Sequence, residues 1–207
     1  CYYTVQIRYD YNRENTSDVN LLTTYVSDLE EYIFDEQGIL LAINPITQDI
    51  CDGTWHSDLD LPPGKYSLIT IGNRSSMSTI TDDGKKPQIG ITHREDFLLT
   101  LQNEERTRAN GYYDNCGRLF HTYRTFCIEQ YKTTFVRADM VHSHSVIRFT
   151  IRWKGTPPAN TENYYVQIRD VPSEYNLIPE FVYPGPSTTQ SDYGCDSHTL
   201  SAPQPRL

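Results

Sequence analysis

The chain begins with a strict alternation of apolar and polar side chains that extends over nine residues. The apolar positions are Tyr3, Val5, Ile7, Tyr9 and Tyr11. The polar positions between them are Thr4, Gln6, Arg8 and Asp10. A period of two predicts a β-strand with one buried and one solvated face. The chain also contains 16 Tyr against 7 Phe and 2 Trp, and aromatic residues favour strands.

Many other short segments share this strand character, and turn residues separate them. The patterns lie at residues 29–34, 39–43, 65–72, 97–101, 119–128, 134–140, 145–153 and 164–171. In the third of these, Leu68, Ile69 and Ile71 predict a strand that is buried on both faces. Such a series of short strands predicts an all-β protein of β-sandwich architecture.

Helical periodicity is almost absent from the sequence. Residues 18–24 predict one or two helical turns, with Thr16 or Ser17 as the N-cap. Val19 and Leu22 would face inward from these turns. Four segments are rich in proline, glycine and polar residues and therefore predict loops or a tail. They are residues 44–63, 73–86, 106–118 and 179–207.

The strands fall into two groups, with a break near residues 130–138. We therefore predict an N-terminal β-sandwich domain over residues 1–136 and a C-terminal β-sandwich domain over residues 137–207. The second domain is short for an independent seven-strand sandwich. It is either incomplete, or its sheet uses strands of the first domain or of a partner.

The charge of the chain argues against nucleic acid as a partner. The 18 basic and 27 acidic side chains give a net charge of -9, and no cationic patch that could bind phosphates is evident. The sequence also contains no apolar stretch of the roughly 18–20 residues that a membrane-spanning helix needs. The tyrosine-rich, strand-favouring composition predicts an exported β protein.

The five cysteines leave several interpretations open. They are Cys1, Cys51, Cys116, Cys127 and Cys195. Because the number is odd, at least one thiol is unpaired, paired outside the chain or modified. Cys116 and Cys127 could close a loop, although buried free thiols are an equal alternative. Cys1 is a candidate lipid acceptor of a bacterial lipoprotein, or half of a disulfide.

A search for catalytic, metal and cofactor sites finds no convincing constellation. His142 and His144 would share one face of a strand, but no third metal ligand is indicated, so an exposed polar face is favoured. Asp58 and Asp60 lie in a predicted loop near His56, where a solvated acidic cluster is favoured. The acidic pairs Glu30-Glu31 and Glu104-Glu105 would point to opposite faces of a strand. We therefore predict no enzyme activity, no metal and no cofactor.

Two alternative functions follow from particular side chains. Exposed tyrosines such as Tyr2, Tyr3 or Tyr9 would suit a surface glycan-binding module, in which sugar rings stack on aromatic rings. A hydrolase with acid groups at Asp58 and Asp60 ranks below this, and it would require a deep pocket at those two carboxylates.

Four segments, taken in order, resemble a known family. They are YTVQIRYDYN (3–12), LEEYIFDEQG (29–38), LPPGKYSLITIGN (61–73) and DMVHSHSVIRF (139–149). Their order along the chain resembles that of the fimbrillin-A-associated anchor proteins, a FimB-like family of Bacteroidia-type fimbriae that includes minor-fimbrium anchors.

The resemblance implies an architecture and a function. Family members are implied to contain two tandem transthyretin-like β-sandwiches, to be anchored in the outer membrane through an N-terminal lipid, and to attach a fimbrium and influence its length. Here Cys1, or an earlier cysteine, would carry the lipid. The implied partners are fimbrial subunits, joined by β-strand addition. The resemblance implies no catalytic residues, and members with more strands suggest that 207 residues are a portion of the working protein.

Overall fold

A computed structural model describes residues 3–12, 19–46, 57–74, 77–81, 84–101, 118–143, 150, 152–156, 166–168, 174–178 and 193–195. The strands are β1 (Tyr3–Asp10), β2 (Leu29–Phe34), β3 (Leu40–Ile46), β4 (Ser57–Leu61), β5 (Gly64–Gly72), β6 (Met77–Thr81), β7 (Phe97–Leu101), β8 (Phe120–Ile128), β9 (Thr134–Asp139), β10 (Val141–His142), β11 (Val166–Ile168), β12 (Glu174–Tyr175) and β13 (Tyr193–Cys195). A short helix, α1 (Leu22–Tyr25), and a 3-10 turn at Arg94–Asp96 accompany them. The predicted all-β fold is confirmed. No helix in these ranges is long and apolar enough to cross a bilayer.

The strands form three sheets that share two hydrophobic cores, and β11 pairs separately with β13. The central sheet has the order β10-β8-β5-β2-β3 and is antiparallel. The front sheet has the order β4-β1-β9, in which β9 runs parallel to β1. The back sheet has the order β12-β7-β6.

The two cores lie on opposite faces of the central sheet. Leu29 and Ile33 of β2 belong to the first core, which they share with residues of the front sheet such as Ile7. Tyr32 of β2 belongs to the second core and packs against Phe97 of the back sheet, with ring centroids 4.6 Å apart. Because successive strand residues point to opposite faces, a single strand supplies both cores.

Strand β5 is the most deeply buried strand of the central sheet. Every residue from Tyr66 to Gly72 is buried. Leu68 contributes to the first core, whereas Ile69 and Ile71 contribute to the second. The prediction that this strand is buried on both faces is therefore confirmed.

The alternation at the start of the chain is also confirmed in β1. Val5, Ile7 and Tyr9 are buried, and Arg8 is exposed on the other face. Asp10 is an exception because it is buried as well. Its carboxylate accepts a hydrogen bond from the amide of Asn20 at 2.6 Å, which satisfies part of its hydrogen-bonding capacity.

The predicted helix at residues 18–24 is only partly correct. Helix α1 has four residues, and Leu22 is buried as expected, but Val19 is 65% exposed. The predicted caps Thr16 and Ser17 lie outside the described residues. Instead, Asn20 Oδ1 accepts hydrogen bonds from the backbone N–H groups of Tyr11 and Leu22, both at 3.0 Å. Asn20 therefore fixes the turn that follows β1.

Three strands occur where the sequence predicts loops or a tail. Strand β4 lies within residues 44–63, β6 lies within 73–86, and β13 lies within 179–207. The prediction is wrong in these places because each strand is short and is held by a neighbour that is distant in sequence, as β4 is by β1. The predicted strand at 145–153 falls mostly outside the described residues. At its end, Trp153 lies outside any strand, shortly before Gly155 at a φ of 133°.

The predicted domain boundary between residues 136 and 137 falls inside β9. All six residues of β9 pair with β1. Strand β12, from the C-terminal part of the chain, pairs with β7, and Leu177 and Ile178 are buried in the second core. The C-terminal part therefore contributes directly to a core built mainly by the N-terminal part, while the division into two domains stays a prediction.

Candidate functional site: the β9 edge and the Arg94 groove

A buried polar network, which we call the Glu31 network, connects the front sheet to the central sheet. Glu31 Oε1 accepts a hydrogen bond from Tyr9 Oη at 2.7 Å. Its Oε2 accepts from Asn44 Nδ2 at 2.8 Å and from Ser57 Oγ at 3.1 Å. Thr70 Oγ1 lies 2.9 Å from Tyr9 Oη. The network thus joins side chains of five strands, β1 to β5.

Burial controls the protonation of this network. Glu31 is fully buried, and loss of solvation raises its pKa, although its three hydrogen-bond donors oppose the shift. Burial and the neighbouring Glu31 carboxylate raise the pKa of Tyr9 well above its usual range. Because both groups are closed to solvent, the network can hold the two sheets together but cannot receive a substrate.

The predicted acidic pair Glu30-Glu31 does point to opposite faces. Glu30 forms an ion pair with Arg74 at 2.6 Å and accepts a hydrogen bond from Tyr32 Oη at 2.8 Å. The two carboxylates therefore do not converge on one reacting group. The other pair, Glu104-Glu105, lies outside the described residues.

Asp58 and Asp60 lie on edge strand β4 and not in a loop, so that prediction is corrected. Both are exposed on the same face of the strand, and Gln6 Nε2 donates to Asp58 Oδ1 at 3.1 Å. His56 lies outside the described residues. Exposed carboxylates on a strand edge do not form the deep pocket that the hydrolase hypothesis requires. The described parts of the chain contain no group of three or more metal-binding side chains.

The structure places His142 against an aromatic ring. It lies on β10, with its ring centroid 5.2 Å from that of Phe120 in an edge-on arrangement. Its predicted companion His144 lies outside the described residues. No sequence pattern distinguishes His121, whose burial lowers its pKa to about 4 and whose Nδ1 lies 2.7 Å from Ser143 Oγ.

The tyrosines proposed for sugar stacking do not form an exposed platform in the described structure. Tyr9 is buried in the first core, so this part of the glycan hypothesis is wrong. Tyr2 lies outside the described residues, and only the backbone of Tyr3 is described. The most exposed tyrosine among the described residues is Tyr131, which no sequence pattern distinguishes from the others.

The structure describes one cysteine side chain. Cys127 is an exposed free thiol on β8, so the suggested bridge between Cys116 and Cys127 is not formed. Cys1, Cys51 and Cys116 lie outside the described residues, and for Cys195 only the backbone in β13 is described.

Some sheet edges carry features that oppose pairing with another strand. Strand β4, at one edge of the front sheet, carries the exposed carboxylates of Asp58 and Asp60 and is followed by Pro62 and Pro63. Strand β3, at one edge of the central sheet, contains Pro45, which lacks an N–H donor. Charges and prolines of this kind protect natural sheet edges from unwanted strand pairing.

The side of β9 that faces away from β1 is different, and we call it the β9 edge. No strand among the described residues pairs with it. Phe135 projects from β9 and is 76% exposed, whereas Val136 is buried. Arg124 Nε donates to the Arg137 carbonyl at 3.2 Å, so residues 134–136 are the part of the strand most open to a new partner.

A groove lies at one end of the central sheet, on the face that carries the second core. It is open to solvent and has a volume of about 410 Å³. Its polar lining includes Asp35, Lys65, Ser67, Arg94 and Thr125. We call it the Arg94 groove, since this guanidinium is its most buried cationic group.

The hairpin between β2 and β3 positions Arg94. The Arg94 N–H donates to the carbonyl of Gly38 at 2.7 Å. His93 Nε2 lies 2.8 Å from the carbonyl of Gln37, which ties the same two segments together. Gly38 has a φ of 83°, and an added Cβ would lie 2.8 Å from His93 Nε2.

We expect Gly38→Ala to lower the free energy of unfolding by about 2–3 kcal/mol. About 1–2 kcal/mol comes from a left-handed backbone conformation that is unfavourable for alanine, and the remainder comes from the overlap with His93. Gly90→Ala is the matched control, because Gly90 has a φ of 78° and open space around its Cβ position. Urea denaturation of both variants separates the two effects. Equal losses of stability in the two variants would show that the His93 ring moves away from the added methyl group at no energetic cost.

The described residues define a β-sandwich protein with an open strand edge on β9 and a groove at Arg94. A model of the family described as fimbrillin-A associated anchor proteins Mfa1 and Mfa2 matches residues 1–194. The chain belongs to this family. The resemblance that four sequence segments suggested is thereby confirmed. No curated protein matches the chain.

Solved structures share the fold. A candidate adhesin from Bacteroides ovatus gives a TM-score of 0.69 at 16% identity, over 94% of this chain and 62% of that chain. A candidate polysaccharide-binding protein from Bacteroides thetaiotaomicron gives 0.66 at 17% identity, over 94% and 71%. The fimbrial anchor protein Mfa2 from Porphyromonas gingivalis gives 0.61 at 15% identity, over 93% and 66%. The chain thus spans less than two thirds of the length of the Bacteroides ovatus protein.

Proposed function

We propose that the protein is a non-enzymatic fimbrial anchor or accessory subunit that attaches a fimbrium to the outer membrane and influences its length. The observation that carries the proposal is the family match, which extends over residues 1–194. The absence of converging catalytic groups around Glu31 or Asp58 in the described structure is compatible with this role.

The proposed place of the protein is the cell surface, with Cys1 as the candidate lipid acceptor that holds it in the outer membrane. The proposed architecture is a pair of transthyretin-like sandwiches. We infer that β9, which spans the boundary predicted at 136/137, belongs to the N-terminal domain, because it pairs with β1.

The proposed mode of partner binding is addition of a strand from a fimbrial subunit to the β9 edge. Main-chain N–H and C=O groups on an open edge provide affinity, and the flanking side chains provide specificity. The exposed ring of Phe135 offers apolar surface beside that edge. Strands β3 and β4 are poorer candidates because of Pro45 and of the carboxylates of β4.

Deletion of the gene tests the cellular role. We expect cells without the protein to release their fimbriae or to carry longer ones, and expression of the full protein should restore the original state. Electron microscopy of fimbrial length and immunoblotting of shed fimbriae provide the measurements. Unchanged length and unchanged retention would overturn the proposed role.

Phe135→Lys tests the β9 edge. A charge on an edge strand opposes pairing with another strand, so we expect this variant to bind fimbriae with about tenfold lower affinity, a loss of roughly 1.4 kcal/mol. Fimbriae sheared from the parent cells and captured on the immobilised full chain provide the assay. The matched control is Leu41→Lys, at a partly exposed position on β3, which should bind like the original protein. Equal losses in both variants would exclude a specific role for β9.

A further inference from the structure

We propose that the Arg94 groove binds a hydroxylated carboxylate of the acidic-sugar class. The groove is separate from the β9 edge, and none of its residues takes part in the proposed strand addition. Three observations support this site. The hydrogen bonding of Arg94 is incomplete, the neighbouring carboxylates interact with other groups, and hydroxyl groups line the groove.

The guanidinium of Arg94 forms no ion pair with any carboxylate in the described parts of the chain. Its Nη1 donates only to hydroxyl groups, at 3.3 Å to Ser67 Oγ and 3.2 Å to Tyr123 Oη. Its Nε is buried and finds no acceptor among the described residues. Because Nε is closed to solvent, a ligand in the groove would meet the Nη groups, whose only partners among the described residues are these two hydroxyls.

Other arginines of the structure show what Arg94 lacks. Arg74 pairs with Glu30 at 2.6 Å, and Arg124 pairs with Asp139 at 2.8 Å. The planar guanidinium group matches a carboxylate in charge and in hydrogen-bond geometry. A carboxylate supplied by a ligand would therefore complete the environment of Arg94.

The two acidic residues in the groove already have partners. Asp35 Oδ1 accepts a hydrogen bond from the Ile39 N–H at 2.8 Å, within the hairpin turn. Glu36 forms an ion pair with Lys65 at 3.0 Å. These interactions keep both carboxylates close to the groove but away from the guanidinium, so Arg94 remains without a negative partner.

The remaining lining favours a sugar acid over an acidic peptide. Ser67 and Thr125 lie opposite each other on β5 and β8 and line the groove. Thr125 is exposed and can offer its hydroxyl to a ligand, whereas Ser67 is buried and accepts a hydrogen bond from Arg94. Asp35 and Glu36 can accept hydrogen bonds from the hydroxyls of a ligand. The same two carboxylates, on a chain with a net charge of -9, would repel a segment that carries several negative charges. A ligand with a single carboxylate on a polyhydroxylated ring could bind these polar groups through its hydroxyls and would avoid the repulsion between many negative charges.

Titration of the full chain with methyl β-glucuronide, followed by isothermal calorimetry or by saturation-transfer NMR, tests the proposal. We expect saturable binding, and we expect methyl β-glucoside, which lacks the carboxylate, to bind at least about tenfold more weakly. Arg94→Gln should weaken glucuronide binding to a similar extent. Arg8→Gln is the matched control, because Arg8 is an exposed arginine on β1, and it should bind like the original protein.

A second variant keeps the proposal testable if Arg94→Gln does not fold. Thr125→Trp would place a large ring over the groove from an exposed position and should also abolish glucuronide binding, while circular dichroism reports an unchanged fold. Equal binding of glucuronide and glucoside, or undiminished glucuronide binding by both groove variants, would overturn the proposal. Tighter binding of an acidic peptide such as acetyl-Asp-Glu-Asp amide would also overturn it.

Discussion

Leu177→Ala is expected to lower the free energy of unfolding by about 2–4 kcal/mol, as large-to-small substitutions in packed cores do. Leu177 is only 6% exposed and lies in the second core, together with Ile69 and Phe97. Among the described residues, the adjacent strand β12 pairs with β7 at two positions. We therefore expect side-chain packing in the second core to contribute to holding the segment in place. Chemical denaturation followed by circular dichroism gives the measurement.

The matched control for this substitution is Ile91→Ala. Ile91 is also aliphatic but is 71% exposed, so its truncation should change stability by no more than about 0.5 kcal/mol. Ile178→Ala, at the neighbouring buried position, should resemble Leu177→Ala. If Leu177→Ala behaved like Ile91→Ala, the C-terminal part of the chain would not belong to the second core.

Glu31→Ala is expected to destabilise the protein by about 3 kcal/mol or more, because each buried polar group left without a partner costs about 1–3 kcal/mol. The substitution removes the acceptor for Tyr9, Asn44 and Ser57 at once. Glu31→Gln preserves the shape and one acceptor oxygen, so its loss should be smaller. Equal stability of Glu31→Ala and the original protein would show that water replaces the carboxylate without cost.

The same position should make stability depend on pH. Burial raises the pKa of Glu31 above the ordinary value of 4.5, so the folded state binds the proton more tightly than the unfolded state does. The contribution of this group is therefore complete below the ordinary pKa and decreases as pH rises towards the raised one.

Comparison with Glu31→Gln isolates this pH effect. All other titrating groups are common to both proteins, so the stability advantage of the original protein over Glu31→Gln should be largest near pH 4 and should shrink as pH rises to 7. Urea denaturation at several pH values in this range provides the measurement. A difference that stays constant with pH would mean that Glu31 titrates alike in the folded and unfolded states.

The sequence predicted those strands that carry their own signal. Strand β1 alternates strictly, and β5 is apolar on both faces. The residues of each strand alone therefore predict which of its side chains are buried. Strand β4 has an acidic sequence, Ser-Asp-Leu-Asp-Leu, and is a strand because β1 pairs with it. A pairing between segments some fifty residues apart has no signature in either segment alone.

The candidate sites were less predictable than the fold. In the sequence Glu31 is one of an acidic pair, but its partners Tyr9, Asn44 and Ser57 come from three other strands. Arg94 is followed in sequence by two acidic residues, which suggests local neutralisation. The structure instead directs its guanidinium towards β5 and β8, and only the fold reveals that it lacks a carboxylate partner.

The parallel arrangement of β1 and β9 has a mechanical consequence. Tension between the N-terminus and a point beyond β9 pulls the two strands in opposite directions along their common axis. The evenly spaced hydrogen bonds of a parallel pair then bear the load together in shear, from Val5 opposite Thr134 to Asp10 opposite Asp139. When the chain is pulled from both ends, all the hydrogen bonds between β1 and β9 would thus have to break together. In a hairpin that is pulled open at its ends, the bonds break one after another.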